Sequence, residues 1–212
     1  MLNLCEIFRS IQGESSYAGW PCVFVRLAGC NLDCSYCDTK YARAKGEARD
    51  IDSVVAEVES FSTRLVEITG GEPLLQSETV DLSNRLVALG HRVLVETNGS
   101  LPLPECRSFT AIMDWKSPSS GMADRMLEDN LDRLDDGDEL KFVVGTRDDF
   151  DYACRIIRDF NVNLDNITVL FSPLHPGCPV AELAEWVLES GLRIRLQVQL
   201  HKVVWPENER GR

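Results

Sequence analysis

The chain has 212 residues, 44% hydrophobic and 26% charged, which are the proportions of a globular fold with a sizeable core and exclude disorder as the starting expectation. Its 34 acidic against 22 basic residues give a formal charge of -12, which opposes the phosphate attraction behind non-specific nucleic-acid binding; a small-molecule substrate and no nucleic acid are expected. No 18 apolar residues follow one another, and the opening residues place no apolar run behind a basic region, so no membrane association and a cytoplasmic location are expected.

In chain order, short apolar and β-branched runs alternate with amphipathic stretches. Residues 22–27 predict a first strand, followed by Gly29-Cys30, and Val54, Val55, Val58 and Phe61 form a helical stripe. Residues 64–69 predict the next strand, leading into Gly70-Gly71-Glu72-Pro73; 92–97 leads into Asn98-Gly99, and 111–116 into Ser117-Pro118. Strand 139–144 precedes a second stripe of Phe150, Ala153, Ile156, Ile157 and Phe160. Strand 166–171 runs into Ser172-Pro173. A third stripe of Leu183, Ala184, Val187 and Leu188 is expected to be capped by Gly191 before a last strand at 193–198. The alternation predicts one α/β domain over 1–212 with a largely parallel sheet. A closed eight-stranded barrel usually takes about 250 residues, so an abbreviated or open (β/α) barrel of six or seven strands is expected. The polar, glycine-rich segments all follow strands, where parallel α/β folds gather their active loops, and are expected to line one site.

Eight cysteines in a chain without an export signal point to metal ligation, catalysis or buried thiols rather than disulfides. Cys30-x3-Cys34-x2-Cys37 packs three thiolates into one short loop. An electron-transferring 4Fe–4S cluster normally takes four cysteines, so three leave one iron open to an outside ligand. A structural zinc site completed by Cys22, Cys5 or His91, or loop thiols without metal, competes with this reading, although zinc usually draws on two paired knuckles and no second pair occurs. Cys5, Cys22, Cys106, Cys154 and Cys178 lack ligand spacing and read as buried or incidental thiols.

Cys30-Asn31-Leu32-Asp33-Cys34-Ser35-Tyr36-Cys37 and Thr69-Gly70-Gly71-Glu72-Pro73 together resemble the radical S-adenosylmethionine (SAM) superfamily. The resemblance implies that SAM ligates the open iron, with Tyr36, Cys37 and Asp38 beside it, Gly71 and Glu72 at its methionyl amine, and Asn98, Ser117, Pro118, Ser119, Ser172 and Pro173 as further SAM-facing strand ends. The chemistry suits this, because glycines after a strand let the backbone approach a ligand and a glutamate accepts from an ammonium. Taken alone, Gly-Gly-Glu-Pro reads as a turn before a helix.

The segments 8–14 (Phe-Arg-Ser-Ile-Gln-Gly-Glu) and 24–30, Asp38-Thr39 and the closing Gln197-Val198-Gln199-Leu200-His201-Lys202 resemble the 7-carboxy-7-deazaguanine synthase family across nearly the whole chain. One departure is Ser15, where many members have glycine. The resemblance implies a lyase that converts 6-carboxy-5,6,7,8-tetrahydropterin to 7-carboxy-7-deazaguanine with loss of ammonia, in queuosine and deazapurine biosynthesis. It further implies a 4Fe–4S cluster, SAM and Mg2+ as cofactors, an electron donor such as flavodoxin, and a homodimer. Among residues it implies Thr39 on Mg2+, Arg26 on the substrate carboxylate, Glu14 with Ile11, Gln12 and Gly13 on the guanidine-like edge, and Thr69 and His201 as further substrate contacts. By residue type alone, Arg26 and Glu14 read as a solvated ion pair and His201 as structural. No catalytic base is assigned, and the tail 205–212 has no assigned contribution. Two rivals stay open: a glycyl-radical activating enzyme, which would grip a large partner protein, and a non-catalytic iron–sulfur carrier, which needs a fourth protein ligand.

Overall fold

A computed structural model describes residues 1–44 and 46–205; residues 206–212 of the tail lie outside the described residues. The elements run β1 (Leu2–Ile11), β2 (Pro21–Leu27), β3 (Glu47–Arg49), α1 (Ile51–Ser60), β4 (Leu65–Gly70), α2 (Glu78–Ala88), β5 (Arg92–Thr97), β6 (Thr110–Trp115), β7 (Glu139–Val144), α3 (Arg147–Asp159), β8 (Thr168–Pro173), α4 (Val180–Ser190), β9 (Arg195–Leu196) and α5 (Leu200–Val204). They form one nine-stranded sheet in the order β3-β1-β2-β4-β5-β6-β7-β8-β9, open at both edges. From β2 to β9 every pairing is parallel, while β1 runs antiparallel to β2 and β3.

The parallel run matches the seven expected strands, the last shrinking from 193–198 to Arg195–Leu196. The sheet exceeds the expected six or seven strands because β1 and β3 join its edge. Strand β1 escapes a sequence reading because a register shift between Leu4 and Glu6 breaks its two-residue alternation. No helix among the described residues is long and apolar enough to cross a membrane.

Successive side chains of a strand face opposite sides, so each strand carries two programmes at once. On the outer face Val23, Val25, Leu27, Val66, Ile68, Val93 and Val95 pack against Val54, Val55 and Val58 of α1 and Leu82 and Leu86 of α2. Leu140, Phe142, Val144, Val169 and Phe171 meet Phe150, Ala153 and Ile157 of α3 and Leu183 of α4. Each such fully buried side chain contributes about 1.5–3 kcal/mol. Asp50 caps α1 by accepting from Ser53 N at 2.8 Å, and Thr146 with Asp149 forms a capping box on α3. Gly191 ends α4 at φ 63°, as expected, whereas Phe61 and Phe160 sit just past their helices and Leu188 is 76% exposed, off the buried stripe.

The inner face changes character along its length. At the strand beginnings Cys22, Phe24, Leu65, Leu94 and Ile112 form an apolar plug. Further along these strands stand Arg26, Glu67, Thr69, Glu96 and Asp114, which with Lys116 just past β6 and Lys141 on β7 floor a cavity at the carboxyl ends.

Candidate active site

The cysteine loop leaves β2 and is held from two sides by backbone contacts. Gly29 N donates to Ala42 O at 2.8 Å, and Gly29 O accepts from Glu72 N at 2.8 Å. A Cβ on Gly71 would stand 2.0 Å from Gly29 O and 2.8 Å from the Cys30 Cβ, so only glycine lets the two loops meet this closely. On the other side Ser35 N donates to Ser120 O at 3.0 Å and Ser35 Oγ to Ser119 O at 2.6 Å. Cys30, Cys34 and Cys37 thereby line one wall of the cavity, with Tyr36, Asp38, Thr39, Gly71 and Asn98 around them.

This wall suits an iron–sulfur cluster and SAM in its donor chemistry. It offers three thiols without disulfides, and the buried Tyr36 hydroxyl has no hydrogen-bond partner among the described residues. No group of three or more His, Cys, Asp or Glu among the described residues is placed to hold a single metal ion. The side chains weighed for a zinc site lie elsewhere: Cys22 is buried at the start of β2, and His91, just before β5, pairs with Glu59. Thr39 Oγ1 donates to Asp38 Oδ1 at 2.8 Å, giving two adjacent hard oxygens of the kind Mg2+ takes.

The floor is built on Lys141, whose ammonium meets Glu14 at 2.5 Å, Glu96 at 2.6 Å and Asp114 at 3.3 Å. Burial opposes each charge here, and pairing decides the outcome. For Glu14, burial pushes the carboxyl up, but the Lys141 charge and its hydrogen bond, with Gln199 and His201, bring it below the ordinary value. Glu67 has no cation of its own; burial and the nearby charges of Glu96 and Glu14 hold its carboxyl well above the usual range, and it is bonded by Gln12 Nε2. Asp114 is held below the ordinary value against burial by Lys116 and Lys141. Thr69 Oγ1 donates to Glu96 at 3.2 Å.

The C-terminal segment closes the cavity over the loop after β1. Leu200 N donates to Gly13 O at 2.8 Å, Gln199 Nε2 to Glu14 Oε1 at 2.5 Å, Gln197 Nε2 to Ser15 O at 2.8 Å, and Lys202 pairs with Asp38 at 3.3 Å. A Cβ on Gly13 would lie 2.0 Å from His201 Nδ1, so the glycine is what admits the imidazole. Burial lowers the pKa of His201, with Glu14 opposing. Ser15 adopts φ 62°, the left-handed region where glycine is at ease, and its Oγ accepts from Tyr17 N at 3.1 Å.

Ile11, Gln12, Gly13, Glu14, Arg26, Thr69 and His201 are thus gathered around one cavity with the cysteine wall. Arg26 is partly engaged: its Nε donates to Glu6 at 2.8 Å and its guanidinium lies 5.7 Å from the Phe8 ring centroid. Glu72 is not brought to the cavity. It is fully buried and accepts from Leu74 N at 2.9 Å, Thr97 Oγ1 at 2.8 Å and Asn98 N at 2.6 Å, so its carboxylate is spent on holding two loops together. Ser117, Pro118, Ser119, Ser172 and Pro173 are not among the residues lining the cavity; Ser119 turns its carbonyl to the cysteine loop, and the buried Ser117 and Ser172 hydroxyls have no hydrogen-bond partner among the described residues. Sequence reasoning missed Glu67, Glu96, Asp114, Lys116 and Lys141. The available signal was a lone charge inside an apolar strand run, as in Leu65-Val66-Glu67-Ile68 and Leu140-Lys141-Phe142.

A family model of the radical SAM superfamily matches residues 25–188. A 7-carboxy-7-deazaguanine synthase from Koribacter versatilis is 41% identical over 225 residues, covering 99% of this chain and 100% of the relative, and one from Chlorobaculum tepidum is 44% identical over 99% and 97%. Among solved structures, QueE from Escherichia coli shares the fold with a TM-score of 0.76 at 22% identity, over 94% of each chain. Streptococcus suis SuiB bound to S-adenosylmethionine matches at a TM-score of 0.56 and 11% identity, over 83% of this chain and 47% of SuiB. With relatives this similar along almost its entire length, the chain belongs to the 7-carboxy-7-deazaguanine synthase family of the radical SAM superfamily.

Proposed function

We propose that the chain, as one domain, binds a 4Fe–4S cluster through Cys30, Cys34 and Cys37, binds SAM beside it, and converts 6-carboxy-5,6,7,8-tetrahydropterin to 7-carboxy-7-deazaguanine with loss of ammonia. The observation that carries this reading is a single cavity with three thiols on one wall and Glu14, ion-paired to Lys141, on another. Relatives that share nearly the full chain bear the synthase name, which ranks this reading above an activating enzyme. An electron donor such as flavodoxin, a homodimer and a cytoplasmic location complete it on the strength of the family alone.

Cluster and SAM, when bound, supply a carbon radical that abstracts hydrogen from the substrate. The remaining work falls to side chains. Ionised Glu14 accepts from the adjacent N–H groups of the pterin's guanidine-like edge; Lys141 and Gln199 each engage one of its oxygens and leave further lone pairs on both. Arg26 keeps donors beyond its Nε for the substrate carboxylate, and Thr39 with Asp38 would hold Mg2+ against it. Phe8 and Phe24 stack with centroids 5.0 Å apart on the cavity wall and offer a flat apolar surface to a bicyclic ring.

The test is anaerobic reconstitution with iron and sulfide, followed by incubation with the pterin, SAM and a reductant. Formation of 7-carboxy-7-deazaguanine and ammonia, detected by mass spectrometry and an ammonia assay, is expected. SAM cleavage without either product overturns the substrate assignment.

A further inference from the structure

Between the cysteine loop and the end of β5 lies a short chain of amides whose orientation is fixed. Asn98 directly follows β5 and is 7% exposed. Its N–H donates to Glu72 Oε2 at 2.6 Å, and its Oδ1 accepts from Ser100 N at 2.9 Å and Ser100 Oγ at 2.6 Å. A backbone N–H can only donate, so the Asn98 oxygen must face Ser100 and its amide nitrogen must face the other way. On that side Nδ2 donates to Asn31 Oδ1 at 3.1 Å and to Cys30 Sγ at 3.8 Å. Asn31 is fixed in turn by its own Nδ2, which donates to Ser100 Oγ at 2.7 Å. Leu32 N approaches the same sulfur at 3.5 Å.

From this network we infer that Asn98 sets the reduction potential of the cluster, through an amide N–H aimed at the Cys30 sulfur. The inference rests on the cluster reading given above. A reduced cluster carries more negative charge on its sulfurs than an oxidised one, so a donor binds the reduced form more strongly and raises the potential; hydrogen bonds to ligating sulfurs are among the features that spread cluster potentials. Glu72 acts through Asn98, by gripping its backbone. The Glu of Gly-Gly-Glu-Pro thereby contributes to cluster chemistry without touching the cavity.

The experiment is a spectroelectrochemical titration of reconstituted, SAM-free protein. Asn98→Leu removes the donor at nearly constant volume. Asn98→Asp keeps an oxygen toward Ser100 and places an acceptor where the donor stood. Both variants should titrate at a more negative potential than wild type, with Asn98→Asp the more negative of the two. Equal potentials in all three, at matched iron and sulfide content, overturn the inference and leave the cluster reading standing. If Asn98→Leu does not fold, Asn98→Asp decides alone by the same criterion. A wild-type chain that takes up no iron and sulfide overturns the cluster reading itself, and this inference with it.

Discussion

The cysteine wall and the charged floor share one cavity, yet different forces hold them in place. Cys30, Cys34 and Cys37 sit in a loop pinned through Gly29 to Ala42 and Glu72 and through Ser35 to Ser119 and Ser120, and none of the three thiols is needed for those bonds. Glu96, Asp114 and Lys141 owe their positions to strand register, Glu14 to the loop after β1 under the C-terminal segment, and all four to one another. The wall can therefore lose a ligand and keep its shape, whereas the floor cannot lose its central cation without exposing buried charge to an apolar surrounding. Function and stability should separate on the wall and fail together on the floor.

The largest effects test the wall. Cys30→Ala, Cys34→Ala and Cys37→Ala should each abolish the cluster's visible absorption and SAM cleavage. In urea denaturation the metal-free variants should stay within about 1–2 kcal/mol of the metal-free parent, the ordinary cost of a single substitution. An intact, SAM-cleaving cluster in any of them contradicts the ligand assignment.

Lys141→Met comes next. It leaves Glu14, Glu96 and Asp114 facing an apolar side chain, and breaking a buried charge cluster in this way costs about 3–5 kcal/mol. A pH signature should accompany the loss. Glu14 is held ionised below its ordinary value, so its contribution to stability is present above pH 4.5 and is lost as pH falls through the lower folded value. Without the cation, burial and the neighbouring carboxylates push that carboxyl up, and the acid limb of pterin turnover should move to higher pH. An unchanged urea midpoint and an unchanged acid limb would show that Lys141 is a bystander.

Glu72→Ala sharpens the comparison, since Glu72 belongs to a SAM-binding motif but is built like the floor. Two backbone donors and one hydroxyl lose their acceptor, and an unpaired buried donor costs about 1–3 kcal/mol. A loss of at least about 2 kcal/mol in folding stability is expected before any change in SAM affinity is measured. Weakened SAM binding at unchanged stability would restore the direct ligand role that the sequence motif implied.

What the sequence made legible follows the same division. The wall announces itself through cysteine spacing and glycines, because loop chemistry is written in consecutive residues. The outer sheet face was legible through periodicity: β5 and β7 fall on their expected residues, and Gly191 caps α4. The floor was not, because Glu67, Glu96, Asp114 and Lys141 come from four strands and meet only once register and sheet order are set. Ser117 and Ser172 lie at the carboxyl ends of β6 and β8, as expected, and their buried hydroxyls have no hydrogen-bond partner among the described residues.

The smallest effect concerns the departure from the family pattern. Ser15 holds a left-handed backbone at a cost of about 1–2 kcal/mol, and Ser15→Gly relieves it while losing the Tyr17 bond and stiffness in the unfolded chain. The melting temperature should change by no more than a few degrees, in line with a net change within about 1 kcal/mol. A drop of more than about 10 °C would mean that the serine hydroxyl holds the loop.

Glu14→Ala tests the division between wall and floor most directly. Its reconstituted cluster is titrated with SAM under electron paramagnetic resonance, and the same sample is assayed for 7-carboxy-7-deazaguanine. The expected result is a SAM-induced spectral change like that of wild type, with product formation lowered by roughly 10- to 150-fold, as loss of about 1.5–3 kcal/mol from a charge-assisted bond implies. Undiminished product formation, or loss of the SAM response together with product, would contradict a floor that binds the pterin separately from a wall that binds SAM.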